Sequence, residues 1–307
     1  MEDVVIIGGS FAGQAAALML GRARRRVVLL DAGQPRNRFA TASHAFLGQD
    51  GRAPSDIMAT ARAQLAAYGT VRQQAGRAVT GVAEDGGFRL GLEDGSSLQA
   101  RRLILATGQR DLLPDLPGLA DRWGKTVLHC PYCHGYELDQ GPIGVLAAGP
   151  MSMHHALLVP DWGPVTLFLQ ETFQPDAAQS AALAARGVTV EPVPVVALQG
   201  DGASVLLADG RQVALAGLFI APRTEPASDL AAQLGCAFAE GPTGPFVVVD
   251  ERKATSVRGV YAAGDLAAPM ANATMAAAAG VMAAAGTHQS LIMGLAAKGR
   301  VSAGQAL

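Results

Sequence analysis

Two cysteines three positions apart, Cys130 and Cys133 in Cys130-Pro131-Tyr132-Cys133, are the residues most able to do chemistry in this chain. The spacing lets both sulfurs meet in one disulfide across a helical turn. A thiolate at a helix start has a lowered pKa, which speeds exchange at neutral pH. His134 follows at once and could take a proton from a thiol; Glu137 comes three residues later. Two blander readings stand beside this one: half of a zinc site, or two packed thiols. Zinc would need two more ligands, and His129 and His134 flank the pair too closely for an ordinary tetrahedral set. The third cysteine, Cys236, has no partner motif and reads as a small buried residue.

A second constellation is Gly8-Gly9-Ser10-Phe11-Ala12-Gly13, between a short β-branched run and a helical stretch. In a G-x-G-x-x-G turn the first Gly makes the tight bend, the second lets a pyrophosphate approach, and the third permits helix–strand packing. Ser10 takes the middle slot here; a small hydroxyl residue still allows approach and can donate a hydrogen bond. Asp31 closes the next apolar run, where an acid would hold ribose hydroxyls. Alone, the motif also reads as a glycine-rich turn in an ordinary α/β protein. Two later strand ends extend it: Leu103 to Ala106 running into Thr107-Gly108, and Val260 to Ala263 running into Gly264-Asp265.

These motifs need a doubly wound α/β frame. Val4–Ile7, the helical stretch Ala12–Gly21 and Val27–Leu30 make its opening unit. The stretch 32–51 is loop-like. Ser55–Tyr68 predicts an amphipathic helix capped by Ser55. Alternating segments, one of them Ser97 to Leu103, precede a separate strand at Arg102–Ala106. Pro114, Pro117 and Gly118 mark a crossing. A second α/β pattern begins near Ile143, with a helix from about Met153 and a strand at Val165–Leu169. Gly241, Pro242, Gly244 and Pro245 mark a second crossing. A long Ala-rich helix closes the chain, and the tail after Lys298 should fray.

Composition narrows the function. The chain has 307 residues, enough for about two domains, half of them apolar and 16% charged, with a net charge of −2. That balance excludes strong electrostatic attraction to nucleic acid or an anionic membrane. Met1-Glu2-Asp3 is acidic where a secretory signal needs basic charge. The Ala-rich run Ala273–Ala285 is too short and too weakly hydrophobic to span a bilayer. A cytoplasmic home is the expectation, and three cysteines make no secreted-type disulfide framework.

The order of these motifs resembles the low-molecular-weight thioredoxin reductase family over essentially the full length. The resemblance implies FAD as cofactor and two dinucleotide-binding, Rossmann-like domains. An FAD domain (1–115 and 243–307) would be split by an inserted NADPH-type domain (116–242) carrying the cysteines. It assigns Gly8, Ser10, Phe11, Ala12, Gly13, Asp31, Ala32, Arg36, Asn37, Val79, Thr107, Gly108, Gly264, Asp265, Asn272 and Ala273 to FAD. Cys133 would face the flavin and Cys130 would exchange with substrate. A homodimer is implied as well.

Three departures set the chain apart from that family. Its second fingerprint reads Ala147-Ala148-Gly149-Pro150-Met151-Ser152, losing the tight-turn Gly and, at Pro150, a backbone N–H. The Arg-rich motif for the 2′-phosphate of NADPH is replaced by Leu169-Gln170-Glu171-Thr172-Phe173, whose acid would repel that phosphate. His134 replaces the acid that follows the second Cys. Together with Cys130 to Glu137 and Ser43-His44-Ala45-Phe46-Leu47-Gly48, these features look like the FAD-dependent dithiol oxidases of disulfide natural products, of the gliotoxin, holomycin and romidepsin type. That resemblance implies oxidation of a small-molecule dithiol, with O₂ as acceptor and H₂O₂ as product. His134 would be the base, Glu137 would orient it, and His44 would sit near the flavin, though it also reads as a loop histidine. His154 and His155 are further candidate bases that otherwise read as exposed helix residues. An NAD(P)H-dependent, thioredoxin reductase-like enzyme is the alternative; reduction by ferredoxin, a non-enzymatic redox sensor and a zinc module are more distant ones.

Overall fold

The computed structural model describes residues 1–149, 151–270 and 272–293. Pro150 and the tail after Lys298 lie outside the described residues. In chain order the elements are β1 (Glu2–Ile7), α1 (Phe11–Arg22), β2 (Val27–Asp31), α2 (Pro54–Ala66), β3 (Val71–Ala75), β4 (Ala78–Glu84), β5 (Gly87–Leu92), β6 (Ser97–Leu105) and β7 (Gln109–Leu112). There follow β8 (Val127–Leu128), α3 (Pro131–His134), β9 (Ile143–Leu146), α4 (Met151–Leu158), β10 (Val165–Phe168), α5 (Ala177–Ala185), β11 (Thr189–Glu191), β12 (Val195–Leu198), β13 (Val205–Leu207), β14 (Gln212–Val213) and β15 (Gly217–Phe219). The last are β16 (Arg223–Pro226), α6 (Leu230–Gln233), β17 (Phe238–Glu240), β18 (Pro245–Val247), β19 (Val260–Ala262) and α7 (Ala273–Ile292).

Contacts divide the chain into two compact units. One holds Met1–Arg38, Ser55–Arg110 and the chain from Glu225 onward; the other holds Phe39–Pro54 and Asp111–Thr224. The inserted segment thus closes at Thr224, not near 242. α6 packs on β4 through Leu230 and Leu234 against Gly81, and β17 pairs β18, so this stretch belongs to the first unit. The loop 39–54, read as part of the first domain, is grouped with the second unit.

The first unit is built on a sheet ordered β3-β2-β1-β6-β5-β4, with β19 also on β6. β1, β2, β3 and β19 run parallel to their neighbours; β4 and β5 are antiparallel. The two segments expected on either side of residue 102 are one strand, β6. Its first half pairs β5 and alternates; its second half pairs β1 and β19 and is apolar from Leu103 onward. One strand therefore carries two patterns. Successive β1 side chains go to opposite faces. Val4 and Ile6 pack with Ala16, Ala17 and Leu20 of α1 and Ala283 and Ala284 of α7. Val5 and Ile7 pack with Phe88, Leu103, Leu230 and Leu266.

The alanines of α7 have a packing reason. A Cβ at Gly280 would lie 2.1 Å from the Ala12 carbonyl oxygen, so α1 and α7 approach almost backbone to backbone. Arg102 is buried on β6 and donates to Ser290 Oγ at 2.9 Å and to the Ser290 carbonyl at 3.1 Å, which fixes α7 to the sheet. α2 begins at Pro54, and Ser55 lies within its first turn instead of capping it, as Pro suits a helix start.

The second unit has a wholly parallel sheet, β11-β10-β9-β15-β8, and an antiparallel one, β12-β13-β14. Val145, Leu167 and Phe219 pack against Ala156 and Val159; Leu146, Phe168 and Leu218 pack on the other face with Val205 and Leu207. Asp176 and Gln179 form a reciprocal capping box at the start of α5. Among the described residues, no helix is long and apolar enough to cross a membrane.

Candidate active site

The glycine turn after β1 leaves no room for side chains. A Cβ at Gly8 would lie 2.1 Å from the Ala106 carbonyl oxygen, one at Gly9 2.5 Å from the Asp31 carboxyl carbon, and one at Gly13 1.8 Å from the Gly8 carbonyl oxygen. Gly8 also has φ +107°, a conformation that disfavours side chains. Asp31 Oδ1 accepts from the N–H of Gly9 at 3.3 Å and of Gly33 at 3.1 Å, so its carboxylate is already oriented at the end of β2. Ser10 stands at the head of α1 in extended backbone, and its hydroxyl makes no capping bond to the helix. The dipole at this end of α1 favours an anionic group.

Thr107 and Gly108 follow β6 beside this turn. Thr107 Oγ1 is buried and has no hydrogen-bond partner among the described residues, and Gly108 takes φ +72°. Gly264, at φ +72°, lies against Ala12, and Arg36 Nη1 pairs with Asp265 Oδ2 at 3.0 Å. Asn272 caps α7, accepting from the Met275 N–H at 2.9 Å, with Ala273 the first helical residue. Phe11 opens α1, Ala32 is exposed, and Asn37 is half-buried. Val79 is on β4, three strands along from β1, with its carbonyl held by Gln233. The bare glycine turn, the preset Asp31 and the orphaned Thr107 hydroxyl fit a dinucleotide such as FAD. Gly9 itself, which gives Asp31 an N–H, was not among the residues expected at this site; its place between Gly8 and Ser10 was the available signal.

The cysteines are in the second unit. Cys130, in extended backbone, caps α3, and Pro131 takes the first helical position, where a missing N–H costs nothing. Cys130 and Cys133 are joined in a disulfide with Cα atoms 5.3 Å apart. Gly135, next in line, has no space for a Cβ, which would meet the Trp162 ring at 2.7 Å. Tyr132, largely exposed, stands edge-on to Trp162 with ring centres 5.3 Å apart. Among the described residues no group of three or more His, Cys, Asp or Glu is placed to hold a metal.

Three charged or titratable side chains gather beside this segment. Glu137 Oε1 lies 3.4 Å from His44 Nε2, and His44 Nδ1 lies 3.8 Å from Asp50. The 39–54 loop is shaped for this. Its ends are bridged at Ser43 and Arg52, and Asp50 accepts from the N–H of Ala45, which takes φ +55°. Glu137 thus has His44 as its near partner and acts on His134 only through charge. Burial pushes the His134 imidazole below its ordinary pKa, against the pull of Glu137 and with the push of His44. A neutral imidazole near neutral pH is a proton acceptor.

His154 is exposed on α4, as expected, but His155 is buried at 5% exposure, edge-on to Phe219 and 6.0 Å from the His129 ring. Its pKa is pushed down to about 4, chiefly by burial. The folded state keeps this ring neutral, whereas the unfolded chain protonates it around the ordinary 6.5. Stability is therefore expected to fall as pH drops through that window, by about 2 kcal/mol from pH 7 to pH 5 from this group alone. Denaturant midpoints at the two pH values check this, with His155→Gln expected to flatten the difference. Cys236 is buried in the first unit; its thiol lies 3.6 Å from Thr255 Oγ1, and burial pushes its pKa up.

Residues 2–281 match the profile of the pyridine nucleotide-disulphide oxidoreductases. The chain belongs to that family. Pyridine nucleotide-disulphide oxidoreductases of the thioredoxin reductase-like kind are flavin-dependent enzymes acting on disulfides, with two Rossmann-type α/β domains. Similar proteins include thioredoxin reductase tcpT of Claviceps purpurea, 33% identical over 88% of both chains. An oxidoreductase structure from Agrobacterium tumefaciens is 51% identical over 95% of this chain and 99% of its own, with a TM-score of 0.92. The structure of HlmI is 40% identical over 95% of this chain and 93% of its own, with a TM-score of 0.88.

Proposed function

We propose that this oxidoreductase is an FAD-dependent dithiol oxidase that closes an intramolecular disulfide in a small molecule. It would work in the cytoplasm as a homodimer. The observation that carries the reading is the Cys130–Cys133 disulfide, followed at once by a half-buried His134 whose pKa is held down. The likeness to HlmI and the oxidase-like Cys130 to Glu137 motif support it.

One substrate thiolate attacks Cys130 Sγ. A substrate–Cys130 bond forms, the Cys130–Cys133 bond breaks, and Cys133 leaves as a thiolate. His134 takes the proton of the second substrate thiol. That sulfur attacks the substrate sulfur of the mixed disulfide, and Cys130 leaves in turn. The substrate has lost two electrons and two protons, and the enzyme holds a dithiol. FAD, when bound, supplies the two-electron acceptor that restores the Cys130–Cys133 disulfide, with O₂ as terminal acceptor and H₂O₂ as product. Gly8, Ser10, Gly13, Asp31 and Thr107 would hold that cofactor, and Asp265, oriented by Arg36, would face its chain.

A second reading, NAD(P)H-dependent reduction of a disulfide, is favoured by the name that tcpT carries. An anaerobic titration of the purified protein separates the two. Flavin bleaching by a small dithiol but not by NADPH, with colour and peroxide returning in air, is the expected result. Prompt bleaching by NADPH would replace the oxidase with the reductase.

A further inference from the structure

In a parallel α/β unit, a dinucleotide rests at the carboxyl ends of the strands, its pyrophosphate on free amides of the turn and helix that follow the first strand. In the second unit the corresponding amides, after β9, are occupied by the chain itself. The Ser152 hydroxyl, on the first turn of α4 and 1% exposed, accepts from the N–H of Ala148 at 2.9 Å and of Gly149 at 3.3 Å. Pro150, next in the sequence, has no N–H to offer. The loop after β10 is tied down as well. Thr172 Oγ1 donates to the Ala147 carbonyl at 3.3 Å. The Gln170 side chain donates to the Val195 carbonyl at 3.1 Å and accepts from the Val195 N–H at 2.6 Å.

We infer that Ser152 is the specificity-determining residue that excludes dinucleotides from the second unit. Its Oγ already accepts from both turn amides, so a nucleotide seated on this turn must displace a buried hydroxyl to use them. Thr172 and Gln170 tie the neighbouring loop to Ala147 and Val195. The unit keeps the nucleotide-type sheet as a frame for the Cys130–Cys133 segment while the nucleotide seat is filled from within. This concerns equilibrium binding and does not rest on the oxidase reading.

Calorimetric titration of NADPH and NADH into the FAD-loaded protein tests it. The native protein is expected to show no saturable binding up to about 1 mM. Ser152→Ala frees both amides and is expected to raise affinity on the order of tenfold. Ser152→Thr keeps a hydroxyl and should behave as the native protein does. Amide hydrogen exchange gives a second readout: in Ser152→Ala the N–H groups of Ala148 and Gly149 exchange on the order of tenfold faster, while β9 and β15 stay protected. Saturable micromolar binding by the native protein overturns the inference. So does a Ser152→Ala protein with no gain in affinity, or with unchanged exchange at those two amides.

Discussion

Cys133→Ser is expected to stop dithiol turnover, by on the order of a thousandfold or more, and to leave Cys130 open to lasting capture by a disulfide that has no second thiol. Without Cys133 the chain holds no disulfide, so a substrate disulfide is the electrophile that Cys130 must meet. A mixed disulfide with one half of an acyclic disulfide then persists at Cys130, which caps α3 in extended backbone, because neither Cys133 nor a second thiol on the probe is there to expel it. Intact-protein mass spectrometry after incubation with an acyclic disulfide of a small monothiol reads the adduct directly. Cys130→Ser should be equally inactive, yet carry no adduct on Cys133. An adduct that forms on Cys133 and not on Cys130 would reverse the assigned roles, and turnover near the native rate in either variant would remove the pair from the reaction. The Cys130–Cys133 bond itself sets the scale, since both steps of exchange need two sulfurs.

Gly13→Val is the second change with a large expected effect. Its Cβ would lie 1.8 Å from the Gly8 carbonyl oxygen and 3.3 Å from Leu29, between a backbone atom and the sheet, where nothing flexible can yield. The turn must open, and with it the alignment of Gly9 on Asp31. The protein is expected to purify without flavin and to lose about 3 kcal/mol or more of stability, the scale of overpacking a tight site. Gly86→Ala is the control: the position has open space on all sides and a positive φ, so it should cost about 1 kcal/mol and keep its cofactor. The ratio of flavin to protein absorbance, with a denaturant curve on each variant, measures both effects. A Gly13→Val protein carrying a full complement of FAD would show that the flavin is held elsewhere.

Much of the frame was legible because it rests on local pattern. The apolar runs of β1 and β2, the glycines between β1 and α1, and the Cys130–Cys133 spacing each sit within a few residues of chain. β6 shows where pattern reading failed: one strand looked like two because half of it meets β5 and half meets β1 and β19. The return to the first unit was read near 242 because Gly241, Pro242, Gly244 and Pro245 look like a boundary. They form the turn between β17 and β18, and the chain has come back by Glu225. The pairing of His44 with Glu137 was out of reach, since it joins residues far apart in sequence and only folding brings them to 3.4 Å. His155 was misjudged as exposed because a His-His pair on a helix says nothing about which member faces the sheet. Ser152 gave a small signal, a hydroxyl where the family fingerprint has Ala, and its meaning appears only with the Ala148 and Gly149 amides beside it.

The burial of Cys236 bears on how long such an enzyme lasts. Acting as the proposed oxidase, it would release peroxide at each turnover and bathe its own sulfurs in oxidant. Attack by peroxide needs a thiolate and access, and proceeds by sulfenic acid to sulfinic and sulfonic acids that a cell mostly cannot undo. Cys236 offers neither, being 7% exposed with its thiol pKa raised by burial. Cys130 and Cys133 are protected by the opposite means, since they rest as a disulfide and are thiols only while a substrate molecule is being processed. Methionine is then the sulfur left to wear: Met270 and Met1 are the most exposed of the described methionines, and Met275, Met282 and Met293, on or just after α7, are each about half exposed or more. Ageing under turnover should therefore be written first in sulfoxides on these exposed methionines, while the reactive pair is still intact.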